Sequence, residues 1–102
     1  MRRKIITVFG EEVSLNQEKL THIKQRHPEV GPYLKKIPEV LNSPDLVKLS
    51  KKDKDVHLYY KYYDNIFGGK YLLVVSSNKR KEILTFFITD KIKVGETIWQ
   101  KK

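Results

Sequence analysis

Two of the three histidines in this chain, His22 and His27, fall within six residues of each other and share that stretch with Arg26, in the segment Thr21-His22-Ile23-Lys24-Gln25-Arg26-His27-Pro28-Glu29. Imidazole has an ordinary pKa of about 6.5, so it both takes and gives a proton near neutrality, and guanidinium is a permanent cation whose planar fork suits phosphate oxygens. Together these residue types point to chemistry on a phosphodiester.

On a regular helix His22 and Arg26 lie within roughly 40 degrees of each other, whereas His27 is turned roughly 140 degrees away from His22. Pro28 changes that geometry, because the residue before a proline is pushed toward extended backbone and the His27 ring is then free to swing toward Arg26. Each histidine taken alone also fits a structural role, His27 as a helix-terminal or core-edge residue four positions after Ile23. A zinc site is disfavoured: there is no His pair at i, i+4, no cysteine, and only Glu29 as a nearby acid. Neither a Gly-rich phosphate loop nor a serine elbow occurs, and no residue pattern demands a cofactor.

The elements that must position these groups follow from pattern. Ile5 to Phe9, then Gly10-Glu11-Glu12 and the apolar pair Val13 and Leu15, read as a small hairpin or a strand leading into a loop. Ser14 or Asn16 caps a helix over about Asn16 to Arg26, with Leu20 and Ile23 as its apolar stripe and Pro28 as its stop. Tyr33, Leu34, Ile37, Val40 and Leu41 recur at helical spacing, with Pro38 starting a fresh turn or kinking the first. From Leu46 the period becomes two, giving four strands at Leu46 to Leu49, Val56 to Tyr63, Tyr71 to Ser76 and Ile83 to Thr89. Turns at Asp64-Asn65 with Gly68-Gly69 and at Ser77-Asn78 make the last three antiparallel neighbours, so the expected order is α+β, helices preceding a meander, in a single domain spanning residues 1–102.

In Val56 to Tyr63 one face carries Val56, Leu58, Tyr60 and Tyr62, and the other His57, Tyr59, Lys61 and Tyr63; the second is expected to be the open one. If the helices cover Leu84, Phe86 and Ile88, the opposite set, with Thr85 and Thr89, falls near those aromatics and Lys61. Alternating tyrosine and lysine suits bases stacking on rings beside cations that hold phosphates, and it equally suits an ordinary half-exposed sheet.

Charge and composition bound the partner. Lysine and arginine number 21 against 12 acids, a formal charge of +9, which would collect nucleic acid or an anionic surface first. With no cysteine nothing demands an oxidising compartment, and no segment reads as a signal peptide or a membrane span, so a cytoplasmic protein with no membrane partner is expected.

The order of these motifs, His22-Ile23 and Arg26-His27-Pro28-Glu29, then Tyr33-Leu34, Ile37-Pro38-Glu39-Val40 and Pro44-Asp45, then Tyr59-Tyr60-Lys61 and Leu73-Val74-Val75, and finally Ile83-Leu84-Thr85-Phe86-Phe87 with Lys91-Ile92-Lys93 and Gly95, resembles the phage and mobile-element branch of the barnase, EndoU, colicin and RelE-like nucleases, over roughly residues 15 to 99. The resemblance implies helices on an antiparallel four-stranded sheet with the active site on the open sheet surface. It also implies metal-independent cleavage of RNA, a toxin or effector role, and an antitoxin or immunity protein as partner.

Carried over by position, it puts Arg26, His27 and Thr85 at the site. Relatives tend to carry Thr-x-Tyr on the last strand where this chain has Thr85-Phe86-Phe87, so one hydroxyl is missing. The mechanism then expected gives His27 the role of base or acid, Arg26 and Lys61 the phosphate charge, Thr85 a hydrogen bond to a phosphate oxygen, and His22 or His57 the second proton. Tyr59, Tyr63, His57, Thr89 and Lys91 would bind the RNA. The alternative is a non-catalytic RNA-binding or protein-interaction module on the same fold.

Overall fold

In the computed structural model, which describes residues 2–102, the chain forms one seven-stranded mixed sheet with two short α-helices and a 3-10 segment. In chain order the elements are β1 (Arg2–Ile6), β2 (Glu12–Asn16), α1 (Gln17–Arg26), the 3-10 segment Pro28–Lys36, α2 (Ile37–Asn42), β3 (Leu46–Leu49), β4 (Val56–Tyr63), β5 (Lys70–Ser77), β6 (Glu82–Thr89) and β7 (Thr97–Gln100). Across the sheet they lie in the order β1-β2-β6-β5-β4-β3-β7. The expected helices on a four-stranded antiparallel sheet are thus corrected in two respects. The sheet gains the β1–β2 hairpin on one side and β7 on the other, and β2 meets β6 in parallel through the single pair Ser14 and Glu82.

Local sequence explains the joints. Gly10 takes a φ of 79° in the β1–β2 turn, where Thr7 N–H donates to the Glu11 carbonyl at 2.8 Å. Strand β2 runs straight into α1 because the Asn16 side chain accepts from Lys19 N–H at 2.7 Å, satisfying a first-turn donor that would otherwise have no partner. At the other end His27 leaves helical geometry with φ −133° and ψ 69°, as the following proline requires. Pro38 sits in the first turn of α2, where its missing N–H costs nothing.

Strand register divides the side chains between two faces. One face is covered by the 3-10 segment, α2 and the inner side of α1. It buries Val47, Tyr59, Leu72, Val74, Ile83 and Phe86 against Ile23, Val30, Ile37, Val40 and Leu41, with β1 and β2 adding Ile5, Val13 and Leu15. The opposite face carries a smaller apolar cluster, Leu58, Tyr60 and Leu73. It is crossed by a strap, residues 90–96, which takes the chain from β6 over β5 and β4 to β7. The strap is pinned where Lys93 N–H donates to the Tyr60 hydroxyl at 3.0 Å and Leu49 N–H donates to the Glu96 carbonyl at 2.8 Å. A side chain at Gly95 would collide with the Leu49 carbonyl, so glycine lets the strap lie this close. Among the described residues no helix is long and apolar enough to cross a membrane.

Candidate active site at the end of the first helix

His27 terminates α1, and its backbone N–H still closes the last turn on the Ile23 carbonyl at 2.8 Å. Released from the helix by Pro28, its ring lies over Phe87 of β6, with centroids 5.1 Å apart and planes 23° from parallel. The Glu29 carboxylate stands 3.6 Å from His27 Nδ1, and the imidazole keeps 31% of its side chain exposed. The ring is thus covered on one side by Phe87, has a carboxylate near one nitrogen, and is partly exposed.

Phe87 and Thr85 point to the same face. In the β5–β6 register Leu73 pairs with Phe87 and Val75 with Thr85, so the threonine sits one two-residue step along β6 from the ring under His27, roughly 7 Å away. The next register step is irregular: Ser76 pairs with Ile83, leaving Leu84 as an extra residue beside Thr85. A bulge at this point bends β6 and re-aims the side chains on either side of it.

Arg26 and His22 complete the helix side. Arg26 is exposed in the last turn of α1 and makes no ion pair among the described residues. His22, four residues earlier and therefore on the same side, lines a surface groove of about 590 Å³ with Gln25 and with Glu82, the first residue of β6. His22 and Arg26 thus share one side of α1, and His27, at the end of that helix, meets β6 through Phe87.

The remaining sequence candidates are placed elsewhere. The face expected to be open, His57, Tyr59, Lys61 and Tyr63, is the covered one, because Tyr59 pairs with Val47 and Val74 and joins the main core. Tyr59 is 2% exposed, and burial pushes its phenol up while its hydroxyl lies against Thr7 and Ser76. His57 lies edge-on to Phe9, with centroids 6.3 Å apart, and burial pushes its imidazole below the usual histidine range. Lys61 donates to the Ser43 carbonyl at 2.7 Å, and Tyr63 donates to Glu39 at 2.5 Å. Burial and that carboxylate both push the Tyr63 phenol up.

The aromatics that do share the Thr85 face are Tyr60, Tyr62 and Tyr71. Tyr62 pairs with Tyr71 and Tyr71 with Thr89, one row beyond Phe87. Tyr62 is 48% exposed, packs edge-on to Tyr71 with centroids 5.3 Å apart, and rests its hydroxyl against Gly69, where any side chain would displace it. Thr89 is tied locally to the Lys91 backbone, its hydroxyl 3.3 Å from the carbonyl and 3.2 Å from the N–H, and Lys91 is exposed at the start of the strap. The signal that would have found this row was the pairing of β4 with β5, which a single strand's alternation does not contain. Among the described residues no three of His, Asp and Glu cluster as metal donors.

The pattern of the family described as phage-Barnase-EndoU-ColicinE5/D-RelE like nuclease 3 matches residues 3–92. The chain belongs to that family. No curated protein and no solved structure matches it. Membership makes it a nuclease of the barnase, EndoU, colicin and RelE type, a phosphodiester-cleaving enzyme.

Proposed function

We propose that this nuclease is a metal-independent endoribonuclease whose reaction centre is the seam between α1 and β6. The observation that carries the reading is the His27 ring, faced by Glu29 and stacked on Phe87, which lies two residues along β6 from Thr85. Cleavage of RNA without a metal requires a base to take the 2′-hydroxyl proton, cations to hold the charge that builds on the phosphate, and a proton for the departing 5′ oxygen.

His27 takes the first proton. The 2′ oxygen attacks phosphorus, the bond to the 5′ oxygen breaks, and a 2′,3′-cyclic phosphate is left. The Arg26 guanidinium holds the non-bridging oxygens through paired N–H donors, and the Thr85 hydroxyl donates to one of them. His57 faces the other side of the sheet, so His22, on the Arg26 side of α1, is the second proton carrier. Lys61, engaged with Ser43, has no part in this step.

Labelled RNA incubated with the protein in chelator should yield 2′,3′-cyclic ends. His27→Ala should cut the rate by about 100- to 10,000-fold while binding of uncleavable 2′-O-methyl RNA stays within a few fold. Full activity in that variant removes His27 from the chemistry. Phe87, which offers a ring but no hydroxyl at the centre, favours a second reading: a module that binds RNA without cutting it. Intact RNA with a salt-sensitive shift would decide for that reading. A toxin or effector role for a nuclease carrying +9 goes with a protein inhibitor of opposite charge, an antitoxin or immunity protein.

A further inference from the structure

A second feature lies on the strap side of the sheet. Lys51, Lys52 and Lys93 converge with Ser50 on a hollow of about 200 Å³, floored by Leu58 and closed by Val94. The three lysines come from the β3–β4 turn and from the strap, two segments that meet only because the chain crosses the sheet to form β7. Their backbone is held in place: Lys93 N–H is fixed to the Tyr60 hydroxyl, and Ser50 N–H donates to the Val56 carbonyl at 2.9 Å.

Among the described residues no carboxylate forms an ion pair with these lysines. Asp53 accepts from Asp55 N–H at 3.0 Å, and Asp55 accepts from the Ser77 hydroxyl and from Lys79 N–H, each at 2.7 Å. Like charges gathered around one hollow repel one another, and an anion seated between them removes that cost.

Register ties the hollow to the reaction centre. Leu58 pairs with Val75 and Val75 with Thr85, one row across β4, β5 and β6 on a single face. Two strand spacings separate the hollow's floor from Thr85, about 10 Å. A short stretch of single strand reaches that far, and an anion of repeating charge is what both places would hold at once.

We propose that the hollow of Lys51, Lys52 and Lys93 holds a backbone phosphate of a single-stranded RNA, flanking the phosphate cut at the α1–β6 seam. The proposal rests on the reading above that the substrate is RNA, and it makes that substrate an oligonucleotide that lies across the sheet.

The test uses 2′-O-methyl RNA of about ten nucleotides, a length in the range that one such groove covers, which binds but has no nucleophile. Replacing Lys51→Ala, Lys52→Ala and Lys93→Ala together should weaken binding and flatten the slope of log affinity against log salt by about 0.7 to 1.4, the release expected for one or two phosphates. Replacing Lys4→Ala, Lys35→Ala and Lys102→Ala, the same loss of charge at remote exposed positions, should leave the slope as it was. On cleavable RNA the first variant should lose roughly tenfold of the preference for a long oligonucleotide over a dinucleotide, through KM. An unchanged slope in the hollow variant, or an equal loss in both variants, overturns the proposal. Binding is measured on RNA that cannot be cut, so the hollow stands or falls on that slope even for a protein that proves not to cleave RNA.

Discussion

The two faces of the sheet carry nearly the same residue types and are put to opposite uses. On the covered face Tyr59 and Tyr63 are building material: one is sealed under the N-terminal hairpin, and the other is bonded to Glu39 of α2. On the strap face Tyr62 and Tyr71 stand half or partly exposed, on the same side as Phe87 and Thr85. The difference lies in what is laid over each face. Three helical segments and the N-terminal hairpin cover most of one, whereas a seven-residue strap crosses the other and leaves ground open on both sides of it. A tyrosine in a strand therefore says little about substrate until its cover is known.

The largest effect that separates the faces is on stability. Phe86, fully buried on the covered face, should cost about 3–5 kcal/mol as Phe86→Ala. Tyr62→Ala on the strap face should cost about 1 kcal/mol or less. Urea unfolding of the two variants checks this, and equal losses would mean that Tyr62 is as much a core residue as Phe86.

Activity should divide the faces the other way. Thr85→Val keeps the shape of the side chain and loses a hydrogen bond to a charged oxygen, about 1.5–3 kcal/mol, so cleavage should fall about 10- to 100-fold. Lys61→Met, on the covered face, should leave cleavage within a few fold; a large loss there would return Lys61 to the reaction centre.

The smallest effect is on pH dependence. Burial among Phe9 and Tyr59 depresses the His57 pKa below its ordinary 6.5, while Glu11 and Asp55 pull it up and Lys81 adds a push down. As pH falls, the unfolded chain takes up its proton first, so the stability His57 contributes is complete above the unfolded pKa and is lost as pH drops below it. The melting temperature should decline between about pH 7 and 5, and less steeply in His57→Gln. Identical slopes would show that the imidazole is as free in the folded chain as in the unfolded one.

Much of the frame was legible in the residues. A cap at Ser14 or Asn16, Pro28 as stop and a Pro38 that starts or kinks a helical turn are readable from local sterics and hydrogen bonding, and the structure uses Asn16 and a fresh turn at Pro38; the four strands from Leu46 to Thr89 follow from period-two patterning. The sequence also places Arg26 beside His27, and the break before Pro28 that frees the ring is a local effect.

What it hid is non-local. Strand β7 has only four residues, Thr97 to Gln100, and becomes a strand by pairing with β3. The N-terminal hairpin joins the sheet through one parallel pair. In β4 both alternating sets hold aromatics, so hydropathy cannot say which set the helices cover. The lysines of the hollow lie some forty positions apart and meet only through the strap.

The sheet never closes on itself, and β1 and β7 each end it with a row of unpaired backbone groups. Such rims invite another copy to zip on. Here Arg3 and Lys4 line one rim, Lys101 and Lys102 follow the other, and every copy carries the same excess of positive charge. The surplus that draws in a polyanion therefore also holds copies of the protein apart, guarding against aggregation where the fold is most open to it.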